Sequence, residues 1–301
     1  MYSDRNNINA VELSAVYFGT VLSRLPAVIK PVLLSLLLPC AAFGQGYAGL
    51  SSSLKAIGEA GSDAARDSIS DAVKHQLGAI LESDSAWTAT FSDVPISHVE
   101  PSDGAFRLFT WNVRNADGSF RYEGFLLVRQ KHGQVLTELR DMTDHITSPA
   151  SVQLSPENWY GALYYEVIPV KRGAKTWYTL LGWKGVSDIE TQKVVEVLSL
   201  TPTTKFGAAA FPEGRKRNMR ILFAYSAQGK MTLKWDPAHL SIVADHLAPT
   251  DPAFAGNPAF TAPDMTYDAY YWDKDHWEMQ RDVDVRGTDK QRPFKAPKPK
   301  P

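Results

Sequence analysis

Residues 106–130 read FRLFTWNVRNADGSFRYEGFLLVRQ, and this stretch decides the fold class. Phe106 to Val113 alternates with a period of two, Asn115-Ala-Asp-Gly118 carries turn chemistry, and Phe120 to Gln130 follows as a return strand. An alternating run, a short Asn/Asp/Gly cluster and a second aromatic and β-branched run predict an antiparallel hairpin. Working outward, the same grammar repeats. Lys131-His-Gly-Gln134 is a second turn and leads into Val135–Leu139. Leu163–Val170 and Thr176–Trp183 flank Lys171-Arg-Gly-Ala174, and Lys193–Leu200 reads as a further strand. Met219–Tyr225 and Met231–Trp235 flank Ser226-Ala-Gln-Gly229, and Leu240–His246 follows. Ala269–Trp272 and Trp277–Val283 flank Asp273-Lys-Asp-His276.

About a dozen short strands joined by tight turns predict a mainly β, antiparallel sandwich or open barrel. Trp111, Trp183 and Trp235 each close an inner strand, which keeps a small propeller-like meander as the alternative. The uneven spacing of the modules ranks it second. Asp251–Pro263 holds too much Pro and Gly for a strand interior and reads as a surface loop held by Phe254 and Phe260.

Before the strands the period changes. Ile69, Val73, Leu77 and Leu81 recur every four residues, with Ser62 as N-cap and Asp63 in the first turn. This predicts an amphipathic helix whose single apolar stripe packs on its own domain. The expected organisation is an N-terminal extension and signal peptide over 1–44, a flexible start and amphipathic helix over 45–88, an antiparallel β domain over 89–287, and a disordered Lys/Pro tail over 288–301.

The leader reading rests on Lys30–Gly44, KPVLLSLLLPCAAFG. A cationic start, an apolar run and small residues at Ala42 and Gly44 give the layout of a secretory signal cut after Gly44. The apolar run is too short to span a bilayer, which takes roughly 20 residues. Pro39 before Cys40 disfavours a lipid-anchored cysteine. The expected location is therefore periplasmic or extracellular, with no transmembrane span in the mature chain.

Removing 1–44 from the 301 residues leaves 257, enough for one large β domain. Aromatic residues make up 11%, with 8 Trp and 12 Tyr, which favours strands. The only cysteine is Cys40, so a mature chain has no disulfide, thiolate nucleophile or zinc–thiolate site. Its 29 Lys plus Arg face 31 Asp plus Glu, and so near a balance excludes bulk attraction to nucleic acid or anionic lipid.

Three stretches carry a family resemblance: FRLFTWNVRNADGSFRYEGFLL (106–127), NWYGALYYEVIPV with TWYTLLGWKG (158–185), and SIVADHLAPTDPAF, DMTYDAYYW and DVDVRG (241–287). Together they resemble a family of exported, uncharacterised proteins of Bacteroidetes-type bacteria. The shared phrases are aromatics and turns, and the family has no assigned activity. The resemblance thus implies export and fold, and no site residues.

The chemistry-bearing residues are few. Asp273, Asp275, Asp282 and Asp284 are the acidic cluster that could hold Ca²⁺, yet the EF-hand glycine and glutamate are missing. Alternating Asp on a solvated edge hairpin explains the same pattern, so no metal and no cofactor are expected. His239 and His246, seven apart on a strand, point to opposite faces. No HExxH, nucleophile elbow around Ser226 or Gly-rich phosphate loop is present, which counts against zinc proteases, serine hydrolases and nucleotide binders. Arg215 and Arg217, in EGRKRNMR, could grip a phosphate or carboxylate, or simply solvate a loop.

The remaining signal is aromatic. Tyr164 and Tyr165 are consecutive, as are Tyr271 and Trp272, so one of each pair must point away from a core. Outward aromatics on a β face stack on sugars or partner proteins. The expectation is a non-catalytic binding or envelope-assembly module, its partner an envelope protein or glycan. The alternative is a glycan-acting hydrolase using paired carboxylates. A flat aromatic face favours the first; a deep cleft with two facing carboxylates favours the second.

Overall fold

The computed structural model describes residues 47–284. The expected leader over 1–44, Cys40, the residues after Asp284 and the Lys/Pro tail lie outside the described residues. The chain divides into two compact units, Met1–Ser52 and Ser53–Pro301. Of the first, residues 47–52 are described and are helical. The second carries the sheets.

Its helix α1, Asp63–Glu82, starts where its sequence provides a cap: the Ser62 hydroxyl accepts from the Ala65 N–H at 3.3 Å. Val73, Leu77 and Leu81 are buried as the four-residue spacing requires. Ser70, not Ile69, completes the buried stripe. The reason is polar: the Trp111 indole N–H donates to the Ser70 hydroxyl at 3.1 Å, so the helix turns Ser70 towards the strands.

Strands β1 (Ser97–Val99), β2 (Phe106–Arg114), β3 (Phe120–Gln130) and β4 (Gly133–Arg140) form an antiparallel meander in that order. The 106–130 hairpin forms in register, Phe106 opposite Val128 and Arg114 opposite Phe120. Gly118 at φ 85° supplies the left-handed turn residue that a side chain would resist. Three 3₁₀ turns then lead to β5 (Leu163–Arg172), β6 (Lys175–Gly185), β7 (Glu190–Ser199) and the short β8 (Lys205–Phe206). After a small hairpin of β9 (Phe211–Glu213) and β10 (Lys216–Asn218), β11 (Arg220–Ser226) completes a central sheet ordered β11-β7-β6-β5. The third sheet is β12 (Leu233–Asp236), β13 (Ser241–Pro249), β14 (Thr261–Asp273) and β15 (His276–Gln280).

The central sheet is buried on both faces. Along β7, Val194 and Leu198 join a core shared with the first sheet (Leu108, Tyr122, Leu126), while Val195 and Val197 join one shared with the third (Ile242, Ala244, Tyr270, Trp277). Period-two alternation in one strand therefore feeds two cores. The fold is mainly β and sandwich-like. Among the described residues no sheet closes on itself, and sheets stacked on one central layer are not blades around an axis.

Two local readings change. β11 and β12 do not form a hairpin across Ser226–Gly229: β11 pairs with β7 in the central sheet and β12 with β13 in the third. The turn passes the chain between layers. The last strand among the described residues ends at Gln280, so Asp282 and Asp284 lie beyond it and share no face of it; Asp282 sits at φ 54°. The 251–263 loop is organised by Phe254 and Phe260, stacked at 4.2 Å, and its last residues enter β14. Pro263 is accommodated there because β15 pairs only with Ala269–Asp273, leaving Pro263's outer side unpaired.

Candidate functional site

A cleft of ≈ 800 Å³ opens where β3, β4, the end of β6 and the segment 141–161 meet. Asp141 builds it. One of its carboxylate oxygens accepts from the Tyr122 N–H at 2.9 Å. The other accepts from the Thr143 N–H and hydroxyl at 3.0 and 2.5 Å and faces the Gly161 N–H at 3.4 Å. A single carboxylate thus ties β3 to both ends of the crossing segment. Gly161 is required, because any Cβ there would collide with the Tyr122 side chain.

Lys184 forms the floor. Period two along β6 places Leu180, Gly182 and Lys184 on one face, and Lys184 is only 2% exposed. Its ammonium donates to the Gly161 carbonyl at 2.7 Å and the Thr143 hydroxyl at 2.9 Å, and lies 4.4 Å from the centres of both the Tyr122 and Tyr160 rings. Burial pulls its pKa down to about 8, against the pull of Asp141, Asp144 and Glu196. Burial also raises the phenols, that of Tyr160 to about 12. The Tyr122 and Tyr160 hydroxyls donate to the Gly185 carbonyl and the Gln192 side chain, at 2.9 Å each.

The wall carries both charge signs. Lys74 of α1 reaches Glu123 at 3.3 Å and Glu138 at 3.7 Å. Burial, partly offset by Lys74 and Arg121, raises the Glu123 carboxyl. Arg140, Asp144, His145 and Glu157 are exposed along the lining. Among the described residues the Arg140 guanidinium has no ion-pair partner.

The aromatic residues singled out from sequence separate. Tyr164 is fully buried: its hydroxyl donates to Glu196 and accepts from the Trp159 indole at 3.0 Å. It cannot meet a ligand. Tyr165 points the other way and is 40% exposed. Its hydroxyl donates to the Leu233 carbonyl at 2.9 Å, and Lys193 lies 4.5 Å over its ring. Trp272 packs edge-on against Trp177 and Trp277, and its indole donates to the Lys171 carbonyl at 2.9 Å. Tyr271 lies on the opposite face of β14, across from Glu278.

Arg217 pairs with Asp275 at 2.9 Å, while Arg215 is exposed in the β9–β10 turn. Of the four aspartates of the acidic cluster, Asp273 groups with His276 and Glu278, and Asp275 lies 3.1 Å from the His276 ring.

Lys184, Asp141 and Thr143 escaped the sequence reading. The available signal was Lys184 itself, an inward lysine two positions after Gly182, on the strand face that also carries Leu180. Its partners come from 23 and 41 residues earlier, and no local pattern announces that approach. No family model, no curated protein and no solved structure matches this chain.

Proposed function

We propose that the chain is an exported, non-catalytic binding module and that its ligand, a glycan segment of the cell envelope, seats in the cleft above Lys184. Export rests on the layout of residues 30–44, and membership of the exported family that 106–127, 158–185 and 241–287 resemble belongs to the same proposal. One observation carries the binding reading: a cleft of ligand size whose lining mixes carboxylates, cations and the partly exposed Phe120. Charged side chains of both signs bond sugar hydroxyls, and an aromatic edge meets the apolar face of a ring.

The hydrolase reading draws on Glu123, whose raised carboxyl suits an acid. Glu138 is a carboxylate beside it, but the two sit on one wall and share Lys74. A glycosidase pair must flank the bond it cuts. Asp141 is already saturated by β3 and its own turn. The arrangement therefore favours holding a glycan over cleaving it.

Calorimetry with a panel of defined bacterial envelope oligosaccharides tests this. Arg140→Ala combined with Asp144→Ala alters only exposed groups and is expected to weaken binding at least tenfold with unchanged thermal stability. Binding that ignores these changes but is lost in Tyr165→Ala would move the site to the aromatic face. Turnover of the oligosaccharide that disappears in Glu123→Gln would establish the hydrolase instead.

A further inference from the structure

We propose that Asp273, His276 and Glu278 form a binding site for a divalent first-row transition metal of the Zn²⁺ type, on the outward face of the β14–β15 hairpin. The site is independent of the cleft. Pairing places Asp273 opposite His276, Trp272 opposite Trp277 and Tyr271 opposite Glu278. Alternation sends Trp272 and Trp277 into the core shared with the central sheet, so Asp273, His276 and Glu278 share the other face. A ring nitrogen of His276 and one carboxylate oxygen from each acid lie within 4.8 Å of one another. Zinc ligands at about 2.0–2.2 Å from a metal stand some 3–3.5 Å apart. Asp273 and Glu278 are exposed, so their side chains can rotate to take up that difference.

The imidazole is already oriented. Its Nδ1 is hydrogen-bonded to Asp275 at 3.1 Å, and the other Asp275 oxygen accepts from Arg217 at 2.9 Å. That leaves Nε2 as the nitrogen for a metal, with a carboxylate behind the ring holding its orientation. Arg217 comes from the β9–β10 hairpin, so two separate elements converge to hold one ring. The donor set also selects the metal. One imidazole and two carboxylates suit Zn²⁺ and its neighbours, whereas Ca²⁺ and Mg²⁺ prefer all-oxygen shells. Three protein ligands leave a coordination position open to water or to a group from a bound partner.

The test is Zn²⁺ competition against a chromogenic chelator, using tag-free, chelator-washed full-length protein. One Zn²⁺ per chain is expected, undisplaced by hundredfold excess Ca²⁺. His276→Gln and Glu278→Gln should each abolish it. Asp275→Asn should weaken it about 10–100-fold while keeping the stoichiometry. Zn²⁺ uptake that survives both ligand substitutions would overturn the proposal, since the His239–Asp236 and His246–Asp268 pairs would then be its source. So would displacement by Ca²⁺. Should a variant misfold, the imidazole ¹⁵N resonances of wild type decide: a Zn²⁺-dependent shift at His276 Nε2 is expected, and an unmoved Nε2 refutes the site.

Discussion

Val197 and Leu198 are neighbours on β7, yet they enter cores of different chemistry. Leu198 faces the core beneath the first sheet, where Glu196 and Arg220 are both fully buried and 2.9 Å apart. Arg220 also donates to the carbonyls of Pro149, Val152 and Phe206, and Tyr164 caps the second Glu196 oxygen. Val197 faces the core beneath the third sheet, which holds Ile242, Ala244, Tyr270 and Trp277 and no buried ion pair among the described residues. There the buried polar groups are few: the Trp277 indole donates to the Thr179 hydroxyl at 2.9 Å, and Asp268, opposite Ala244, lies 2.9 Å from the half-buried His246 ring. The first core has to anchor the long 141–161 segment, which offers carbonyls instead of a strand edge. Arg220 meets several of them from one side chain. The second core joins two regular sheets and manages with shape. The cleft lies on the side where backbone is irregular and charge is already buried.

The largest expected effect comes from breaking the ionic core. Arg220→Met leaves the buried Glu196 without its counter-ion and removes the side-chain donor to the Pro149 and Val152 carbonyls; it should cost about 3–5 kcal/mol, read as a drop in denaturant midpoint. Adding Glu196→Met should recover part of that loss, because the stranded charge goes with it. A loss near zero for the single change would mean the network does not bind the segment to the sheet.

The next effect is a pH window. The folded pKa of Lys184 is depressed to about 8 from the ordinary 10.5. Between these values the unfolded chain binds more protons, so stability should rise with pH relative to Lys184→Met, by at most ~3 kcal/mol across the window. Below pH 8 the burial penalty is present in full, and the difference should be flat. Chemical denaturation of both proteins from pH 7 to 10.5 checks the slope.

Smaller effects separate the cores by shape. Trp277→Phe leaves a modest void and an unpaired Thr179 hydroxyl, and should cost about 1–3 kcal/mol. Tyr164→Phe leaves a Glu196 oxygen and the Trp159 indole without a partner, at a similar about 1–3 kcal/mol. Tyr165→Phe, its immediate neighbour, loses the bond to the Leu233 carbonyl and a long one from the Lys193 ammonium, and should stay within about 1 kcal/mol. Equal losses for the two tyrosines would erase the contrast between the inward and outward residue.

That pair also marks how far the sequence could be read. Adjacent strand residues must diverge, so one of Tyr164 and Tyr165 had to be buried; which one depends on the bulge between Tyr164 and Glu166, and no pattern encodes it. The hairpin at 106–130, its turn and the helix stripe were legible because each is a local period. The assignment of β11 and β12 to different sheets was not, since a turn that reverses the chain within a sheet and one that changes layers use the same residues. The cleft floor was illegible for a related reason. Asp141, Gly161 and Lys184 meet through tertiary approach, and only the oddity of an inward lysine hinted at it. On the third sheet, the register set Asp273 against His276, while Arg217 arrived from a hairpin whose docking no spacing predicts.

The account stands or falls on where a ligand touches. Hydrogen–deuterium exchange of the full-length protein, with and without a saturating envelope oligosaccharide that binds it, reads this directly. Slowed exchange is predicted in 119–123, 138–145 and 184–186, the cleft walls and floor, with Tyr165 and Trp272 unaffected. Protection confined to the segments around Tyr165 and Trp272, with the cleft exchanging as before, would contradict it.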